Sequence, residues 1–243
     1  MKEEIKRLEQ ISDFYAKGDY MDNLLVDREV ILIQKLMRSK LNALEVGCAS
    51  GYSTVKLLPC FNDYEVVEPS RKNMDMMLKR IGRDITCHNV LLEDFYTERQ
   101  FDNIIYLNVI EHVEHPVEDL SRLGRLLSDE GLIYITAPNC MSLNRRAGYE
   151  MGILPSYDQM APKDYELGHR RLYTVEMMAD HIQQAGLSLV AMKGVYLKPL
   201  SEKQMIALGD AAVRAFYALG EDVPQYCANI FAVAGKKKKA GVK

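Results

Sequence analysis

Leu44-Glu45-Val46-Gly47-Cys48-Ala49-Ser50-Gly51-Tyr52-Ser53-Thr54 is the stretch whose reading decides the fold. It reads as an apolar strand that ends at Gly47, a turn of small residues to Gly51, and a helix from Tyr52 to Leu58. Glycine serves where the chain turns sharply or where backbone must approach a ligand closely. The amides that open the next helix lack partners and carry partial positive charge. A strand, a glycine turn and a helix near the start of an α/β chain therefore predict a cradle for a nucleotide-like cofactor. The spacing is G-x-x-x-G rather than G-x-G-x-x-G, and no Gly-Lys-Ser/Thr follows to grip a triphosphate. Glu45, at the strand's end, would repel a pyrophosphate and suits a ligand with a positive charge.

Working downstream, Tyr64 to Ser70 is a short apolar strand that delivers Glu68, about twenty residues after the glycine turn, where a carboxylate meets a ribose diol. Arg71 to Arg80 reads as a helix and Ile85 to Val90 as a third strand. Asp94 and Phe95 follow, an acid beside an aromatic, able to accept from an adenine amino group and to pack on its ring. Phe101 to Leu107 is a fourth strand running into Asn108-Val109-Ile110-Glu111-His112-Val113. Pro116 opens a helix with Leu120, Leu123, Leu126 and Leu127 on one face, and Leu132 to Thr136 is a fifth strand. Strands alternating with helices predict a parallel sheet with ligands at the carboxyl ends of its strands.

Residues 140–173 break the rhythm with Pro155, Pro162, several tyrosines and Gly168-His169-Arg170-Arg171. A connection of that length reads as a functional insertion. Thr174 caps a helix to Gln184, Leu187 to Tyr196 is a sixth strand, Ser201 to Leu219 one further helix, and Cys227 to Ala234 the last strand. Upstream, 1–20 and 21–37 read as two helices with Tyr15, Tyr20 and Met21 between them. The domain reading is an N-terminal helical cap over 1–40, a catalytic domain over 41–235 and a disordered basic tail over 236–243.

The chain has 243 residues, 48% hydrophobic, with a formal charge of -3, which leaves no basic footprint for nucleic acid. No apolar run reaches membrane-spanning length. Five scattered cysteines, without C-x-x-C, predict reduced thiols in a cytoplasmic protein and no zinc cluster.

With these residues laid out, the chain resembles the class I S-adenosylmethionine-dependent methyltransferases, in the branch of the ubiquinone-biosynthesis O-methyltransferases. The motifs that carry the resemblance are LEVGCASGYST, VVEPS, LLEDF, FDNIIYLNVIEHVEHP, GLIYITAPN and GHRRLYT, in that order across nearly the whole chain. The resemblance implies a Rossmann-like α/β fold: a seven-stranded, mostly parallel sheet with helices on both faces. Its last strand is antiparallel and lies between strands five and six. It implies S-adenosyl-L-methionine as cofactor, with Glu45, Gly47, Cys48, Ala49 and Gly51 around its methionine part. Glu68 and Pro69 would lie at the ribose, Asp94 and Phe95 at the adenine, and Asn108 and Val109 beside the sulfonium. Ser50 replaces a common second glycine and can keep the turn. The acceptor motif of DNA amino-methylating enzymes is absent after strand four.

The expected reaction is in-line methyl transfer to a small-molecule acceptor, at oxygen, without metal, driven by positioning and exclusion of water. A histidine suits the proton of an acceptor hydroxyl, and His169 and His112 are the candidates. Tyr15, Tyr20, His169, Arg170, Arg171 and Tyr173 are the expected acceptor contacts. Rival readings are a peptide, protein or sugar-linked acceptor, a non-catalytic cofactor-binding protein, and an NAD-dependent dehydrogenase, against which the missing third glycine speaks. A monomer or a homodimer is expected.

Overall fold

The computed structural model describes residues 2–17 and 20–238, with side chains over 3–12 and 21–238. The chain enters through two helices, α1 (Lys2–Lys17) and α2 (Tyr20–Leu36). A regular alternation follows: β1 (Asn42–Val46), α3 (Tyr52–Leu57), β2 (Asp63–Val67), α4 (Arg71–Ile81), β3 (Thr86–His88), β4 (Phe101–Leu107), α5 (Pro116–Leu126) and β5 (Leu127–Pro138). Residues 140–173 carry two short helices, α6 (Leu143–Glu150) and α7 (Pro162–Glu166). Then come α8 (Val175–Gln184), β6 (Leu187–Val195), α9 (Glu202–Ala207), α10 (Asp210–Leu219) and β7 (Asn229–Lys236).

The strands form one sheet in the order β3-β2-β1-β4-β5-β7-β6. Pairings are parallel from β3 to β5, whereas β7 runs antiparallel to both β5 and β6. This is the expected Rossmann-like arrangement, with the chain's last strand in the sheet's interior. β7 reads Asn229-Ile230-Phe231-Ala232-Val233-Ala234, buried throughout, because a strand covered on both faces must be apolar on both. Alternate side chains feed two cores. Ala43, Val66, Ile105, Tyr134 and Phe231 pack under α2, α3, α4, α9 and α10. Leu44, Val67, Ile104, Ile133 and Ala232 pack under α5 and α8.

Two local readings are corrected. Ser201 to Leu219 is two helices, because Gly209 at φ +89° stands between them in a conformation that a helix excludes. β5 begins at Leu127, five residues early: buried Leu127 pairs with Phe101, and the register shifts before Leu132 pairs with Asn103. No helix among the described residues is long and apolar enough to cross a membrane.

The strand order reverses between β1 and β4, and the carboxyl ends of those strands form the crevice in which such sheets hold ligands.

Candidate active site

Gly47 leaves β1 at φ +81° and Gly51 opens α3 at φ +76°. Both positions need glycine for a second reason. A Cβ on Gly47 would lie 2.5 Å from Val109 Cγ2, and one on Gly51 would lie 2.8 Å from the Met77 backbone. The turn is closed by Gly51 N–H donating to Cys48 O at 2.8 Å, and Ala49 sits at φ +45°. At the facing strand end Asn108 is also left-handed, at φ +53°, a conformation asparagine tolerates better than most residues.

Glu68 lies just past β2 and is buried. It accepts from Ala49 N at 3.2 Å, Ser70 N at 3.0 Å and Asn73 Nδ2 at 3.2 Å, with the Cys48 thiol 3.7 Å away. Burial nonetheless pushes its pKa above the usual carboxylate range. A carboxylate has about four acceptor sites, so three N–H groups leave one for a hydroxyl that displaces the weak thiol donor. Beside it, Asn73 Oδ1 is buried without a hydrogen-bond partner. A paired hydroxyl donor such as a ribose diol fits this pair of acceptors, and the crowded glycine turn fits close approach of a ligand to backbone. Pro69 is half-buried and its carbonyl accepts from Asn89. Phe95 is buried against the His88 ring, whereas Asp94 is exposed.

Glu45 has a different environment from the one its position in the sequence invited. Its carboxylate accepts from Ser53 Oγ at 2.5 Å, Thr54 Oγ1 at 2.6 Å and Tyr64 Oη at 3.0 Å. It ties α3 and β2 to β1.

On the loop after β4, the fold brings the adjacent Glu111 and His112 together with His169 from a distant part of the chain. Carboxylate and imidazole ligand atoms of Glu111, His112 and His169 all lie within 4.8 Å of one another. Glu111 Oε1 is 4.0 Å from His112 Nε2, while buried Glu111 Oε2 has no hydrogen-bond partner. Burial lifts the Glu111 pKa to about 7, against the pull of His169. Burial, reinforced by the neighbouring His169, drops His112 to about 3, so its ring is neutral at physiological pH. His112 Nδ1 faces Gly168 O at 3.4 Å, and His169 Nδ1 faces Asp164 Oδ1 at 3.1 Å. Each ring is thus held through Nδ1 by an oxygen, an orientation common in histidines that bind metals or carry protons. His115 is exposed and outside this group.

The arginines of the same motif hold the loop that presents these groups. Arg170 Nε donates to His112 O at 2.9 Å, and Arg171 donates to the carbonyls of Ile110, Val113 and Glu114. Tyr173 is fully buried, its hydroxyl 3.2 Å from His181 Nδ1. A groove of about 410 Å³ between α1 and the Gly168 loop, lined by Arg7, Ile11, Tyr165 and Arg170, leads to His169. The side chains of Tyr15 and Tyr20 lie outside the described residues.

Glu29 of α2 was not singled out from the sequence. It is fully buried over the strand ends, where Asn108 Nδ2 donates to both its oxygens at 3.3 Å and Asn229 Nδ2 approaches at 3.5 Å. No sequence signal marks it, since one acid on a charged helix is ordinary.

Residues 20–192 match the family model described as a methyltransferase domain, well over half of the chain. The chain belongs to the methyltransferase domain family. Among curated proteins this methyltransferase is similar to the ubiquinone biosynthesis O-methyltransferase of Rickettsia bellii, 23% identical over 91% of this chain and 96% of that one. Among solved structures it is similar to the plantazolicin methyltransferase BamL, solved with a triazolic desmethylPZN analog and SAH. That likeness has a TM-score of 0.62 at 19% identity and covers 94% of this chain and 90% of that one. It is also similar to the N-methyltransferase NodS from Bradyrhizobium japonicum, solved with S-adenosyl-l-homocysteine, with a TM-score of 0.55 at 15% identity over 87% of each chain. At these identities the structural likenesses show the fold.

Proposed function

We propose that this methyltransferase moves a methyl group from S-adenosyl-L-methionine to an oxygen of a small-molecule acceptor. The observation that carries the reading is the presence, at the carboxyl edge of one sheet, of a glycine cradle with buried Glu68 and of the Asp164–His169 pair packed on the loop that follows β4. The relatives' name, O-methyltransferase, supports oxygen as the accepting atom. When bound, the cofactor supplies an electrophilic methyl on a sulfonium. Glu68, with Asn73, receives the ribose hydroxyls. The Gly47–Gly51 turn and Val109 shape the space for the methionine part, and Phe95 packs at the adenine end. His169, with Nδ1–H donated to Asp164, takes the acceptor hydroxyl's proton on Nε2. The rest is alignment and exclusion of water, and α1 supports the latter: Ser12, fully buried, meets Ser70 Oγ at 3.0 Å.

His169→Asn and Asp164→Asn should each lower kcat, the former by about 100-fold, while the cofactor Kd measured by calorimetry stays within about twofold. Loss of cofactor binding in His169→Asn would sink the base assignment. Glu68→Ala should abolish cofactor binding, and unchanged affinity would remove the ribose assignment. One observation favours a second reading of the acceptor side. Three convergent ligand atoms, one on a carboxylate with an unpartnered oxygen, can hold a divalent cation that lowers the acceptor hydroxyl's pKa. Activity abolished by EDTA and restored by added Mg²⁺, Mn²⁺ or Zn²⁺ would establish that reading; activity indifferent to EDTA leaves His169 as the base. A cytoplasmic location and a monomer or homodimer complete the proposal, with all five cysteines present as thiols.

A further inference from the structure

We propose that Glu29 is the counter-charge for the sulfonium, and therefore the residue that makes the site prefer the charged cofactor over the neutral thioether left after transfer. This rests on S-adenosyl-L-methionine being the cofactor, as proposed above.

Position is the first support. Glu29 reaches from α2 to the carboxyl edge of the sheet, where Asn108 follows β4, β5 carries Thr136 and β7 begins at Asn229. Asn108 is bonded to Val109, which fills the space a Gly47 side chain would need. Glu29 is therefore linked to the cradle through two consecutive residues, Asn108 and Val109.

The second support is what surrounds it. Its hydrogen-bond partners are the neutral groups Asn108, Thr136 and Asn229. The titratable groups facing it from packed elements are Glu111 on the loop after β4 and Tyr217 on α10, neither of them a cation. Its neighbours on α2 look elsewhere: Arg28 pairs with Glu221, and Asp27 with Tyr52 and Lys56. A fully buried carboxyl with no cation beside it among the described residues stays protonated near neutrality, at about 7, chiefly through burial. Glu45 and Glu68, the other buried acids of the cradle, are likewise met by neutral donors, so what sets Glu29 apart is its place beside Asn108.

Binding the sulfonium then removes a proton from Glu29 to solvent and leaves a carboxylate beside a cation. Transfer of the methyl group removes the cation, the carboxylate regains a proton, and the neutral product loses its partner. The linkage has a definite sign. Affinity for the sulfonium rises with pH up to about 7 and is flat above, because the empty protein holds the proton that binding must release. The thioether shows no such rise.

Calorimetric titration of wild type and Glu29→Gln with S-adenosylmethionine and S-adenosylhomocysteine tests this, at pH 6 and pH 8 in two buffers of different ionisation enthalpy. Wild type should bind the sulfonium several-fold to tenfold more tightly at pH 8, releasing close to one proton at pH 6. Thioether affinity should not move. Glu29→Gln should keep thioether affinity, which shows that it is folded, and lose both the sulfonium preference and the proton release. A variant that retains the wild-type affinity ratio and pH slope overturns the proposal. So does equal loss of both ligands, which would make Glu29 a tie for α2. If the variant does not fold, wild type alone decides, because absence of proton release on sulfonium binding is enough to reject the idea. Wild type that binds neither ligand rejects the cofactor reading itself; wild type that binds both identically at both pH values rejects only the role of Glu29.

Discussion

Glu29 is an acid with 0% exposure whose hydrogen-bond partners are all neutral. Its pKa, raised from 4.5 to about 7, has a consequence for the empty protein. Between those values the folded state holds a proton that the unfolded chain has released, so stability falls as pH rises from 4.5 to 7 and levels off above. The full penalty is on the order of 3 kcal/mol. Glu29→Gln, which resembles the protonated form, should therefore be more stable than wild type at pH 8 and no more stable at pH 4.5. Urea denaturation at the two values checks this, and an equal effect at both would show that burial is not what sets the group's charge. Glu68 was legible in the sequence because local spacing after the glycine turn places it. Glu29 was not, because its burial depends on α2 packing across the far ends of β4, β5 and β7.

At the scale of elements, the N-terminal helix is fixed to α4 by polar contacts at one end. Glu9 accepts from Arg71 N at 2.7 Å, serving the first turn of α4 from another helix, and Ser12 meets Ser70, whose hydroxyl also caps α4 through Asn73 N at 3.1 Å. Each contact of this kind contributes about 1 kcal/mol. Glu9→Ala with Ser12→Ala should therefore speed amide exchange in α1 by roughly tenfold or more, leaving β1, β4 and β7 as protected as before. Exchange unchanged in α1 would mean that apolar packing, such as Ile11 against Gly168, holds the helix instead. The existence of nearly every helix and strand was readable from periodicity and capping residues. The break at Gly209 and the early start of β5 were not, since one depends on a positive φ and the other on pairing with Phe101.

For the whole molecule, the last strand completes the sheet. β7 pairs over seven positions with β5 and eight with β6, and Asn139 Nδ2 donates to the Cys227 carbonyl at 2.9 Å just before it. Without β7, β6 has no neighbour and β5 shows an apolar edge, a template for aggregation. A chain ending at Tyr226 should be insoluble or lack cooperative unfolding by calorimetry, even though it keeps the cradle and the histidines. A soluble, cooperatively melting product would show that β1 to β5 fold alone.

The sequence by itself determined the strand–turn–helix cradle, the alternation of elements, the apolar run of the last strand, and Glu68 at its distance from Gly47. These are local properties, fixed by spacing, by side-chain period and by the few residues that tolerate a left-handed backbone. Only the tertiary structure decided which acids face the crevice. Glu45 turned to three hydroxyls, Arg170 and Arg171 to backbone carbonyls, and Glu29, Glu111 and His169 converged from three separated segments. The physical reason is that burial and partner choice are set by where elements pack, and packing joins residues that no spacing along the chain relates.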